Sequence, residues 1–73
     1  MAVNPFLLKA LFNLAYALAE KGEFQESLKI LDKYENLFYN DTSSYYLRGF
    51  IFEKLGKLQE AVENYNKSIE IYP

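Results

Sequence analysis

The sequence predicts an all-α fold, two antiparallel helix hairpins stacked as a fragment of an α-solenoid, and three observations carry that prediction. The run Gly22-Glu23-Phe24-Gln25-Glu26-Ser27-Leu28 returns 34 residues later as Gly56-Lys57-Leu58-Gln59-Glu60-Ala61-Val62, and a fixed period of roughly 20 to 50 residues marks stacked supersecondary units. Apolar residues recur at helical spacing on both sides of each glycine. Gly22, the cluster Asn40-Asp41-Thr42-Ser43 and Gly56 fall at the ends of these stretches. The 73 residues read as one domain, 1–73, with a first repeat over about 8–41 and a second over about 42–73.

The first helix opens at Asn4-Pro5. Asn can cap free amide groups with its side chain, and Pro brings a pre-set φ and no amide to satisfy. That helix is expected to run from about Pro5 to Lys21 and to stop at Gly22, which takes the left-handed conformation without steric cost. From Phe24, the residues Phe24, Leu28, Leu31 and Leu37, flanked by Ile30, Tyr34 and Phe38, predict a second helix. Asn40-Asp41-Thr42-Ser43 breaks it, and Asp41 or Thr42 is placed to cap a third helix that runs to about Leu55. Gly56 closes the third helix as Gly22 closes the first. A fourth is expected from about Leu58 to Tyr72, with Glu63 and Lys67 spaced for an i,i+4 ion pair, and Pro73 ends the pattern.

Composition narrows the function. At this length only about 60% of the unfolded chain's surface can be buried, so the core must be thin. There is no Cys and no His, which removes disulfides and the usual structural zinc ligands. Packing, with or without self-association, must supply the stability. Eight basic and ten acidic side chains give a net charge of −2, and they are interspersed, so no basic footprint for nucleic acid is present. The apolar run Phe6 to Ala19 is not preceded by Lys or Arg and is interrupted by Lys9 and Asn13, unlike a signal peptide. It is also shorter than the ~20 apolar residues a membrane span needs. A cytoplasmic location is the expectation.

The second hairpin resembles a tetratricopeptide repeat. That family's 34-residue pattern asks for a large aromatic, then Leu-Gly, then Tyr, then Ala, a second aromatic four residues on, and a closing Pro. Tyr45, Arg48-Gly49, Phe52, Ala61, Tyr65 and Pro73 stand at those places, and only Arg48 departs in type. Carried back 34 residues, the frame falls on Leu11, Leu14-Ala15, Leu18, Ser27 and Leu31. Tyr34, where the family usually has Ala, and Tyr39, in place of the closing Pro, depart from it. Tyr34 is expected to splay that end of the first hairpin, and Tyr39 to let the second helix overrun.

The resemblance implies an interaction scaffold that binds protein or peptide in a concave groove lined by the first helix of each hairpin. The first helix carries two apolar stripes. Leu7, Leu11, Leu14, Ala15 and Leu18 follow the spacing of a core face. Leu8, Phe12, Tyr16 and Ala19 form a second stripe, which the family frame turns toward the groove. Tyr46 and Phe50 are the equivalents of Phe12 and Tyr16, with Leu47 alongside. The expected groove therefore comprises Phe12, Tyr16, Tyr46, Leu47 and Phe50, an apolar patch of the kind soluble monomers rarely expose without a ligand. Lys9, Asn13 and Glu20 would add polar contacts. The family's carboxylate clamp uses Lys and Asn, whereas Phe12, Tyr16 and Leu47 occupy the corresponding places and cannot donate charged hydrogen bonds. An apolar or aromatic peptide is the better match.

A second role competes with this one. At least three repeats are usually needed to bury a continuous core, and here there are two, so the outer face of the fourth helix, with Val62, Ile69 and Tyr72, is expected to be covered either by a longer array or by another copy of the chain. Catalysis has little to build on. The commonest general base and the thiol nucleophile are missing, and the acidic sets Glu20, Glu23, Glu26 and Glu60, Glu63 belong to solvated helix edges. No catalytic residue, metal site or cofactor is expected.

Overall fold

A computed structural model describes residues 4–38 and 40–71. Four α-helices are present among them: α1 (Pro5–Lys21), α2 (Phe24–Leu37), α3 (Thr42–Lys54) and α4 (Leu58–Ile71). Their bounds follow the sequence-based expectation closely, because each is set by local chemistry. Asn4 accepts the Phe6 amide on its side chain at 2.9 Å and Pro5 occupies the first turn. Gly22 and Gly56 take φ of 90° and 80°. At the first, the amide of Gly22 donates to Ala19 and that of Glu23 to Leu18; at the second, Gly56 donates to Glu53 and Lys57 to Phe52. Both are Schellman closures, and their identity is the 34-residue repeat expressed as hydrogen bonds.

Three local expectations are corrected. Asp41 holds the cap position of α3 without a side-chain cap bond, and the Thr42 hydroxyl donates instead to the Ser68 carbonyl on α4. Lys67 does not pair with Glu63; its ammonium lies 5.5 Å from the centre of the Tyr45 ring. The second helix stops at Leu37, followed by Phe38, whose backbone (φ −148°, ψ 83°) has left the helical region. Asn40 lies in the left-handed region at φ 61°, a conformation Asn tolerates better than most residues. Tyr39, Tyr72 and Pro73 lie outside the described residues.

The chain divides into two compact units, residues 1–39 and 40–73. In the first, α1 packs against α2; in the second, α3 packs against α4. The first unit buries Ala15, Ala19, Ser27, Leu31 and Tyr34. Ser27 is accommodated because its hydroxyl donates to the Ala15 carbonyl at 2.6 Å, which removes the cost of a buried unpaired polar group. Tyr34 does not hang off the hairpin as expected. It is buried, with the Phe12 ring at 5.5 Å and the Phe38 ring edge-on at 6.0 Å. Leu7 and Leu14, expected in the core stripe, are each 46% exposed. The small Ala15 and Ala19 mark the side of α1 that packs most closely, and this rotates Leu7 and Leu14 outward.

The second unit solves the same problem with different volumes. Gly49 occupies the place of Ala15, and Tyr65 the place of Leu31. A Cβ added at Gly49 would lie 2.7 Å from two carbons of the Tyr65 ring, so the ring rests on bare backbone. At the corresponding places the first unit has a larger Ala15 and a smaller Leu31, both fully buried. Small plus large replaces medium plus medium, and both pairs let two helices close.

Gly49→Ala is therefore expected to destabilise the protein. A better helix former gains about 1 kcal/mol, but the overpacking costs ~1–3 kcal/mol, and a Tyr ring seated between helices cannot move freely away. In a Tyr65→Leu background the same change should cost less or become stabilising, because the pair then matches Ala15 with Leu31. Urea unfolding of the four proteins in this cycle measures the coupling.

Candidate peptide-binding surface

The expected groove residues separate once their exposure is known. On α1, Lys9, Asn13, Tyr16 and Glu20 are exposed and Phe12 is half-buried. Tyr16 is 48% exposed, and Phe6 in the first turn of the same helix is 80% exposed. Phe12 is held from one side by Tyr34, so only part of it can meet a ligand. Ala19, placed by sequence on the same stripe, is buried. The side of α1 that packs in the hairpin thus cuts across the stripe and leaves Tyr16 out.

On α3, Tyr46 is 57% exposed and Leu47 is 2% exposed. Leu47 was expected to line the groove, and the structure instead puts it in a buried line with Ser44 and Ile51, at spacings of three and four. Adjacent residues on a helix point about 100° apart, which is why Tyr46 can be open while its neighbour is closed. Phe50 is half-buried, and the Lys54 ammonium lies 5.4 Å from its ring centre. Tyr46, Phe50 and Glu53 therefore share one side of α3, at intervals of four and three.

The residue that sequence reasoning missed is Tyr65. In the sequence it stands only as the second aromatic of the repeat pattern, yet its ring lies 5.5 Å from that of Tyr46, tilted by 50°, and its hydroxyl donates to Glu53 at 2.9 Å. A signal was available: Tyr46 and Tyr65 flank the Gly49 contact, so a ring at 65 must extend toward the α3 side chains next to it. Burial, followed by the hydrogen bond to the Glu53 carboxylate and that carboxylate's charge, pushes the Tyr65 phenol from 10.0 up to about 12. On α4, Val62 and Ile69 are more than half exposed, as is Leu58. Tyr72 lies outside the described residues.

Two models described as tetratricopeptide repeat match the chain, one over residues 9–38 and one over residues 43–73. The chain belongs to the tetratricopeptide repeat family. Each matched segment falls on one helical hairpin, and the two units of the fold are two tetratricopeptide repeats. Repeats of this kind generally mediate interaction between proteins. No curated protein and no solved structure matches the chain significantly. Among the described residues, no group of three or more acidic, His or Cys side chains could hold a metal ion, and no helix is long and apolar enough to cross a membrane.

The Tyr65–Glu53 bond has a consequence for pH. The unfolded chain releases the Tyr65 proton near pH 10 and the fold near pH 12, so the contribution to stability is complete below pH 10 and is lost as pH rises through about 12. Removing the carboxylate in Glu53→Gln should lower the Tyr65 midpoint toward its ordinary value, as followed by the ¹³C shift of its phenol carbon. An unchanged midpoint would show that Glu53 does not govern this tyrosine.

Proposed function

We propose that this tetratricopeptide repeat protein binds an extended, apolar or aromatic peptide segment of a protein partner through the groove side of its first helices. The observation that carries this reading is that each first helix keeps a tyrosine in solvent, Tyr16 on α1 and Tyr46 on α3, although each hairpin already has a closed core. Phe12 and Phe50, both half-buried, extend these apolar surfaces, and Lys9, Asn13 and Glu20 flank the first. Exposed rings with a polar border offer large contact area at low entropic cost. Leu47 has no part in it, being buried. The absence of paired Lys and Asn at the clamp positions favours an internal segment of the partner over a chain terminus.

A specific observation also supports a second reading. Leu58, Val62 and Ile69 lie exposed on α4, and an apolar helix face of this kind in a repeat array is normally covered by the next unit. Another copy of the chain, or further repeats, would serve.

Selection from a displayed library of random peptides tests the first reading. Enriched sequences should carry aromatic or large aliphatic residues, and Tyr16→Ser with Tyr46→Ser should weaken them by about tenfold or more, equivalent to ~1.4 kcal/mol, in a variant that remains folded by circular dichroism because both rings are largely exposed. Affinity that survives both substitutions contradicts the groove. For the second reading, light-scattering mass across the micromolar range should show an oligomer that Val62→Glu with Ile69→Glu returns to monomer.

A further inference from the structure

The second repeat carries several aromatic rings near its surface, and cations already sit on two of them. Lys67 lies over Tyr45 and Lys54 over Phe50. The Tyr46–Tyr65 pair carries no such cation among the described residues. It has instead a carboxylate: Glu53 accepts the Tyr65 hydroxyl and, among the described residues, meets no lysine or arginine. Lys54, its neighbour in sequence, is turned toward Phe50. The result is a local excess of negative potential, from the mostly open Tyr46 ring, the partly exposed Tyr65 ring beside it and the Glu53 carboxylate. A guanidinium or ammonium group is the ligand that satisfies all three at once, since it is attracted to the face of a tyrosine ring and to a carboxylate. Arg suits the arrangement best, because its planar head can stack on a ring while its N–H groups donate sideways.

We propose that Tyr46, Tyr65 and Glu53 form a receptor for a cationic side chain, Arg before Lys, carried by the partner peptide. The site lies entirely within the second repeat. As a statement about the partner it rests on the peptide-binding reading above, and it makes the partner an apolar segment with a basic residue rather than an apolar segment alone. The alternative use of Glu53, purely as an acceptor that orients Tyr65, predicts no affinity for cations. Substituting Glu53 leaves the core untouched, since the residue is exposed.

Titration of the whole chain with Nα-acetyl-arginine amide, followed by the ring resonances of Tyr46 and Tyr65, tests the site without a known partner. Both rings should shift in the intact protein, and Nα-acetyl-glutamine amide should move neither. Glu53→Gln should weaken the response about fivefold, the factor that corresponds to ~1 kcal/mol, and Tyr46→Leu should abolish the shift at Tyr65. Rings that stay still, or that respond equally in Glu53→Gln, overturn the proposal. The peptide selection separates this result from the broader one. Peptides that depend on Tyr16 and Tyr46 but show no basic residue, together with unmoved rings, would leave the groove standing and remove the cation site. An arginine response without any selected peptide would do the reverse.

Discussion

Two helices can approach closely only where one of them gives up side-chain volume, and each hairpin of this protein is organised around one such place. In the second repeat it is Gly49, where the Tyr65 ring stands so near the backbone that a single methyl would collide with it. In the first it is Ala15, fully buried, whose carbonyl accepts the Ser27 hydroxyl from the second helix, while Leu31, also fully buried, stands at the repeat position of Tyr65. With a core this thin, there is little other apolar burial to compensate for a lost contact. The size of one pair of residues therefore governs how each hairpin closes.

That choice propagates to the surface. With Leu31 at the repeat position of Tyr65, the first repeat has its large ring one turn further on, at Tyr34, and this ring sits against Phe12. With Tyr65 opposite Gly49, the second repeat has only Ser68 at the place of Tyr34, its hydroxyl bonded back to the Tyr65 carbonyl. The second-helix ring thus meets equivalent first-helix positions, Phe12 and Tyr46, from different turns. The consequence is chemical as well as geometric. Phe12 is packed against a buried neighbour, whereas Tyr46 leans on a ring whose hydroxyl is tied to a carboxylate. Two repeats of one pattern thereby present unlike surfaces: on the first, Tyr16 stays open while Phe12 packs on a buried ring, and on the second, Tyr46 lies beside a ring tied to a carboxylate.

Helix positions were legible in the sequence because their determinants are local. Asn4-Pro5, the two glycines and the break at Asn40 act within a few residues, and the 34-residue period confirms them by repetition. The rotation of each helix was less legible. α1 is apolar on nearly every side, so spacing alone allowed two stripes, and the deciding fact was which residues were small enough to pack closely, namely Ala15 and Ala19. The same gap explains Leu47: a leucine beside two aromatics looks like part of their patch until the helix is seen to turn it inward with Ser44 and Ile51. Lys67 illustrates a third limit. An i,i+4 rule pairs it with Glu63, but an aromatic ring on a neighbouring helix competes, and that competitor is set by tertiary packing. The role of Tyr65 was hidden for a similar reason, since the family pattern accounts for its bulk and is silent about its hydroxyl.

Within the tetratricopeptide pattern, a volume exchange inside each hairpin goes with where rings are buried and where they stay exposed. The most direct test of this account transplants the exchange into the other repeat. Leu31→Tyr alone should overpack the first hairpin and destabilise it by ~1–3 kcal/mol, and adding Ala15→Gly should recover part of that loss even though glycine by itself disfavours a helix. A favourable coupling of about 1 kcal/mol or more between the two substitutions in urea unfolding is the predicted result. Strict additivity would show that the closeness of the helices at this point does not control the repeat.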